Sequence, residues 1–186
     1  GDIITVVSVM TPEVIYAFYA ADRIGATLNL VDPRYSTEGI REYIEEVESR
    51  LLICLNVVYP RCHQAAKRTS VERVVVLSPA DSLPLAKAVG YKLTNPDKNR
   101  YASNVLRWKN FIDAGKGHSP AAAPYDPQHT CVVVHTGGTT GSPKGVMLTD
   151  YCFNALAQEF AAQSRLFHRG QKMLNVMPPF IAYGYS

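Results

Sequence analysis

The chain has no CxxC pair among its four cysteines, and none of its five histidines is spaced as a metal ligand would be. A structural zinc module is therefore not expected, and no metal-ligating residue stands out. Cys54, Cys131 and Cys152 sit inside apolar periodic runs and read as buried, reduced thiols, which suits a cytoplasmic protein. No apolar run is long enough to span a bilayer, and no basic stretch followed by an apolar one resembles a signal peptide. A large excess of either charge is lacking too. A formal net charge of +3 is too small for a nucleic-acid binder, which would carry a clustered basic face. The nearest approach runs from Lys87 to Lys116, where seven basic residues face only Asp97 and Asp113; it reads as a solvated, loop-rich segment. Internal repeats and low-complexity blocks are missing. What remains is a chain of 186 residues, 47% hydrophobic and 19% charged, ordinary for one globular domain with a sizeable core.

Strand and helix signals alternate from the start. Ile3 to Val9 is short and β-branched, and Thr11, Pro12 and Glu13 then read as N-cap, first helical position and first-turn acid. Val14, Ala17, Phe18, Ala21 and Ile24 fall on one helical face, and Gly25 supplies the stop. Thr27 to Val31 is a second strand, closed by Asp32 and Pro33. Ser36 caps a helix in which Ile40, Tyr43, Ile44 and Val47 repeat at helical spacing, while Arg41, Glu42, Glu45, Glu46 and Glu48 take the wet side. Leu51 to Leu55 is a third strand, a helical stretch runs through Ala65 and Ala66, and Val74 to Leu77 is a fourth strand. These strands are apolar throughout and not on alternate residues, so a mostly parallel sheet with helices on both faces is predicted.

From Ser78 to Gln128 the pattern fades into Pro, Gly, Asn and Lys, with one amphipathic stretch from Val105 to Ile112 holding Trp108. Residues 78–128 are expected to be an irregular surface excursion. Regular structure resumes with a strand from Thr130, a loop, and the strand VML. A helix is expected from Asp150 to Phe167 with Phe153, Leu156, Ala157, Phe160 and Ala161 on one face, and a last strand over Met173 to Met177.

The loop in VVVHTGGTTGSPKGVML, from Val132 to Leu148, has the makings of a phosphate site. Gly137, Gly138, Gly141 and Gly145 leave no Cβ in the way, so backbone N–H groups can converge on one anion. Thr136, Thr139, Thr140 and Ser142 add hydroxyl donors, Pro143 stiffens the return, and Lys144 brings a point charge. A plain hairpin turn needs about two to five residues and one or two glycines. Two familiar phosphate patterns do not fit. Ser142 and Pro143 separate Gly141 from Lys144, so GxxxxGK[ST] is absent, and the first strand-to-helix turn, SVMTPE, holds no glycine, so GxGxxG is absent as well.

The segment HTGGTTGSPKGVMLT, from His135 to Thr149, resembles the phosphate-loop motif of the AMP-forming, adenylate-forming enzymes: acyl- and aryl-CoA synthetases, adenylation domains and luciferases. PEVIYAFYAADRIG, from Pro12 to Gly25, and LNLVDPRYSTEGI after it are similar to the family's early helix, strand and helix. MPPFIAYGYS resembles the strand and loop bordering its carboxylate pocket, and only the region from about Pro79 to Gln128 matches poorly.

The resemblance implies that residues 1–186 form part of the large N-terminal, AMP-binding domain of such an enzyme, truncated at both ends. It implies a two-step reaction: a carboxylic acid attacks the α-phosphate of ATP to give an acyl-adenylate and pyrophosphate, and the thiol of coenzyme A then takes the acyl group. Thr136, Thr139 and Thr140, with the amides of Gly137, Gly138 and Gly141, would cradle the β- and γ-phosphates. Lys144 would neutralise charge or hold the loop's shape, and Mg²⁺ would bridge phosphate oxygens. Phe180, Ile181, Tyr183 and Gly184 would border the acyl pocket. The residues for adenine, ribose and magnesium, the hinge and the C-terminal lysine lie in the family beyond the position matching Ser186, so no catalytic residue is assigned here. On this reading the chain is inert alone and leaves an apolar face exposed, which favours self-association.

Three departures matter. Asp150 stands where the family commonly has a histidine, and helix capping accounts for it. No histidine follows Phe180, where the family often has one near the carboxylate substrate; Ile181 stands there instead. His135 occupies a place often held by an aromatic or hydroxyl residue, and reads as a satisfied strand-end histidine and not a proton carrier. The rival readings are a non-catalytic nucleotide-binding relative, an adenylation domain loading a carrier-protein thiol, and an oxidative enzyme of the luciferase kind.

Overall fold

The computed structural model describes residues 1–136, 144–163, 170, 172, 174–175 and 177–181. In chain order the elements are β1 (Ile3–Val7), α1 (Pro12–Arg23), β2 (Thr27–Val31), α2 (Thr37–Glu46), β3 (Leu51–Leu55), α3 (Tyr59–Ala65), β4 (Arg73–Leu77), α4 (Leu85–Thr94), β5 (Val105–Arg107), α5 (Trp108–Ala114), β6 (Thr130–His135), β7 (Gly145–Thr149) and α6 (Asp150–Gln163). The strands form one sheet in the order β5-β4-β3-β1-β2-β6-β7. All neighbours are parallel except β6 and β7, which form an antiparallel pair.

This is the mostly parallel α/β architecture that the apolar strands predict. β2 is buried along its whole length, and β3 and β4 at every position but the first. The chain steps from β1 to β2 in one direction and from β2 back across β1 to β3 in the other. Right-handed crossovers then put α1 on one face and α2 and α3 on the other. Consistently, α2 packs on α3, while Phe18 of α1 meets Phe153 of α6 edge-on at 5.6 Å. Val6, Leu28, Leu30, Ile40, Ile44, Leu52 and Ile53 are among the largest fully buried side chains, so the core straddles the central strands.

Local signals explain the helix ends. Ser36 Oγ accepts from the Gly39 amide at 3.1 Å, capping α2. Gly25 sits at φ +71°, and the Ala26 amide reaches back to Ala21 O at 2.9 Å while Gly25 N donates to Asp22 O. That is a Schellman stop, for which a left-handed glycine is the favoured residue. Ile24 therefore lies past the last turn and is 49% exposed, not on the buried face its spacing suggested. Thr11 is extended at the N-cap, but its hydroxyl makes no cap bond. Glu13 is the first-turn acid that the sequence predicts, and it is buried, taking a hydrogen bond from the Ser82 hydroxyl after β4.

Residues 78–128 are more ordered than their sequence suggests, for they hold α4, β5 and α5. The weak signal has a physical cause. α4 buries only Ala88, with Leu85 and Leu93 left outward, and β5 is a three-residue edge strand anchored by Trp108 behind it. α6 begins at Asp150 as expected, but its continuation to Phe167 lies outside the described residues, as do Met173 and Val176 of the expected last strand. None of its residues is fully buried, and its apolar side faces an open cleft of about 540 Å³ shared with Phe18 and Tyr19 of α1.

The packing yields a stability contrast. Ile44→Ala, at a site with 0% exposure, should destabilise the fold by about 2–5 kcal/mol. Leu93→Ala, at 78% exposure, should stay within about 0.5 kcal/mol of wild type. Urea denaturation of the two variants checks this, and equal losses would contradict the assigned core.

Candidate functional site

In a parallel sheet the strand ends that carry chemistry are the carboxyl ends, where loops converge. β6 ends there at His135, and the chain returns as β7 from Gly145, so the glycine-rich segment is the loop of an antiparallel hairpin. Its stem is well formed: the Thr136 amide donates to Lys144 O at 3.0 Å, and Thr136 Oγ1 points to the same oxygen at 3.5 Å. Both residues are exposed at the sheet edge. Gly137, Gly138, Thr139, Thr140 and Gly141 lie outside the described residues.

Behind the stem runs a line of buried polar groups on the α2 side. Thr5 of β1 hydrogen-bonds the Ser49 hydroxyl, and Asn29 Nδ2 donates to Thr5 Oγ1 at 3.0 Å and to Tyr43 O at 3.1 Å. Asn29 Oδ1 lies 2.7 Å from His135 Nε2. The His135 ring sits 4.0 Å from the Tyr43 ring, and its Nδ1 faces Glu46 at 4.0 Å. Burial pushes the His135 pKa down, with Glu46 opposing it. Burial also raises the Tyr43 phenol, helped by its hydrogen bond with Tyr35. The sequence reading of a satisfied strand-end histidine holds for Nε2 only, since Nδ1 is buried without a hydrogen-bond partner.

Of the four residues expected to border an acyl pocket, Phe180 and Ile181 are among the described residues. Phe180 packs partly against the core with the Arg34 guanidinium 5.9 Å from its ring centroid, and Ile181 is half-exposed. Arg34 follows β2 and pairs with Asp32 at 2.6 Å. Burial would raise the Asp32 carboxyl, but the hydrogen bonds from Arg34 outweigh it and hold Asp32 below its ordinary value. Because β2 neighbours β6, Phe180 and the loop stem occupy the same edge of the sheet. Tyr183 and Gly184 lie outside the described residues.

One grouping was invisible in sequence because its members come from three separate segments. Asp22 of α1, His129 before β6 and Asp150 at the start of α6 offer ligand atoms within 4.8 Å of one another, a set that could hold a divalent cation. Burial and the neighbouring Asp150 charge raise the Asp22 carboxyl. The group lies at the amino end of β6, across the sheet from the loop stem.

The sequence profile of the family described as "AMP-binding enzyme" matches residues 1–186. A long-chain-fatty-acid–CoA ligase of Bacillus subtilis (strain 168) is 26% identical over 192 residues, covering 100% of this chain and 34% of the relative. An acetyl-coenzyme A synthetase of Rhodopirellula baltica is 27% identical over 158 residues, covering 85% of this chain and 23% of the relative. Among solved structures, the anthranilate CoA ligase AuaEII in complex with anthranoyl-AMP superposes with a TM-score of 0.70 at 16% identity, over 88% of this chain and 28% of that one. The chain therefore spans about a third or less of the length of these relatives.

The cysteines separate by environment, and one differs from its sequence reading. Cys54, Cys62 and Cys131 are buried, but Cys152 is exposed, because it sits in the first turn of α6 on a helix with no fully buried position. The Thr149 hydroxyl, 3.3 Å away, holds the Cys152 thiol below its ordinary value. The hydrogen bond with Cys62, and then burial, push Cys54 up; burial, and then Asp150, do the same to Cys131. Iodoacetamide should alkylate Cys152 ahead of the other three, as read by peptide mass spectrometry, since the thiolate is the nucleophile. Thr149→Val should move the pH midpoint of that reaction upward. Comparable labelling of Cys54 in the folded chain would refute the assignment.

Proposed function

Because this chain belongs to the AMP-binding enzyme family, we propose that it carries the phosphate-gripping part of an ATP-dependent carboxylate–CoA ligase. The full-length enzyme activates a carboxylic acid as its acyl-adenylate, releasing pyrophosphate, and passes the acyl group to the thiol of coenzyme A. The observation that carries this reading is the segment HTGGTTGSPKG set on a closed β6–β7 stem at the carboxyl edge of the sheet.

The first step requires a polyphosphate held in line and relief of the charge that builds on the departing pyrophosphate. Hydroxyls of Thr136, Thr139 and Thr140 and the amides of Gly137, Gly138 and Gly141 donate to the β- and γ-phosphate oxygens. Lys144, next to the stem, adds the formal positive charge. Mg²⁺, when bound, supplies further neutralisation of the phosphates. Phe180, Ile181, Tyr183 and Gly184 contribute an apolar border for the acyl group. The relatives named above activate acids from acetate to long-chain fatty acids by their names, so a carboxylic acid is the substrate class, and its chain length is left open.

In this reading the isolated chain does not complete the reaction. The exposed side chains Ile15 and Tyr19 of α1 and Phe160 of α6, which line the cleft between these helices, give it a tendency to self-associate. Sedimentation velocity should show concentration-dependent growth, and a strictly monomeric chain at high concentration would speak against this.

The deciding measurement is ATP–pyrophosphate exchange by the full-length protein across fatty, aromatic and short-chain acids. At least one acid should drive exchange. Lys144→Ala or Thr139→Ala should lower the rate by roughly 10²–10³, the usual cost of losing one charge-stabilising donor. If ATP binds and no acid drives exchange, the chain belongs to a non-catalytic nucleotide binder.

A further inference from the structure

We propose that His135 is the positioning residue of the phosphate loop: in its neutral, Nε2-protonated form it ties the loop stem to Asn29 in the centre of the sheet. This inference rests on the ligase reading above and extends it to a residue outside the loop.

The hydrogen-bond direction follows from the partners. The Asn29 amide nitrogen is committed twice, to Thr5 Oγ1 at 3.0 Å and to the Tyr43 carbonyl at 3.1 Å. That fixes which end of the amide is oxygen, and Oδ1 can only accept. His135 Nε2, 2.7 Å from Oδ1, must therefore carry the hydrogen. A neutral imidazole has one such hydrogen, so Nδ1 holds a lone pair. Nδ1 is buried without a hydrogen-bond partner, and Glu46 Oε2, at 4.0 Å, is too far to accept from it.

The slot that holds the ring is specific in shape. The His135 side chain is only 4% exposed, and its ring rests on Tyr43 with 4.0 Å between centroids. Its partner across the hairpin is Gly145. A Cβ on Gly145 would come within 3.1 Å of Val133 Cγ1 and 3.5 Å of both the His135 ring and Glu46 Oε1. Only the Val133 contact is tighter than ordinary van der Waals distance, so glycine at 145 lets β7 lie close to β6 beside the histidine ring.

The placement gives this slot a job. Thr136, the next residue, closes the stem through its amide to Lys144 O. Any shift of the His135 backbone moves Thr136 and, through that bond, Lys144. An anion cradle loses effect quickly when its donors move by about an ångström. His135 touches no phosphate, and its effect is carried by Thr136 and Lys144.

Two measurements test this. Long-range ¹⁵N–¹H NMR of the imidazoles in this chain should show His135 as the Nε2–H tautomer near neutral pH; the Nδ1–H tautomer would overturn the proposal without any substitution being made. In the full-length protein, His135→Phe keeps a ring in the slot and removes the donor. It should raise the Kd for ATP about tenfold, the scale of one buried hydrogen bond, while its thermal unfolding stays cooperative. His135→Gln, which can return an N–H donor toward Asn29, should recover most of that loss. If the wild-type protein binds no ATP, the ligase reading fails and this proposal with it. If wild type binds and His135→Phe binds equally well, or His135→Gln is no better than His135→Phe, only the positioning role is refuted.

Discussion

Burial of the central strands from both sides is the constraint on which the molecule depends. β1, β2 and β3 have neighbours on each edge and lie between layers of helices, so all but the first two residues of β1 and the first of β3 are buried and their backbones must pair along their length. Apolar, β-branched sequences meet that demand almost everywhere. Thr5, Thr27 and Asn29 are polar exceptions, and Asn29 brings a fully buried amide to the middle of TLNLV. An unpaired amide there would cost about 1–3 kcal/mol, and the fold meets the cost by giving it three partners on three elements: Thr5, the Tyr43 carbonyl and His135. The polar group thereby becomes a fixed point joining β1, β2, α2 and the end of β6.

The parts of the fold that were legible in sequence are those where burial dictated residue type. β2, β3 and β4 lie within a residue of their apolar runs, and α2 begins at its Ser36 cap. The boundaries that moved did so for local reasons. β1 stops at Val7 because the chain leaves the sheet there, with Val9 outward, and Ile24 falls outside α1 because the Gly25 stop comes first. α4 was hidden, and β5 and α5 showed only as the amphipathic stretch around Trp108, because elements that bury a single residue or none leave little periodicity to detect.

The site was legible in a different way. The loop announces itself by composition, since few constraints other than close approach to an anion assemble so many glycines and hydroxyls beside one lysine. Its support does not. Nothing in the sequence links Asn29 to His135, or Asp22 to His129 and Asp150, because these contacts are made only when strands distant in the chain become neighbours. Cys152 makes the same point in reverse: it sits in an apolar run, but the helix that carries it is too lightly covered to bury it.

The hairpin between β6 and β7 also sets the electrostatic source available to the loop. In the common phosphate-binding loops the strand leads straight into a helix, whose amino-terminal partial charge points at the anion. Here the chain turns back along the sheet, and α6 starts only at Asp150, at the far end of β7. No helix macrodipole follows the loop directly. On the proposed phosphate-binding reading, the attraction for an anion comes from individual amides and hydroxyls, with Lys144 the one formal cation between Thr136 and Gly145. A field made of separate short-range donors falls off faster than that of an aligned helix, so it rewards accurate placement of the hairpin stem more than long-range capture.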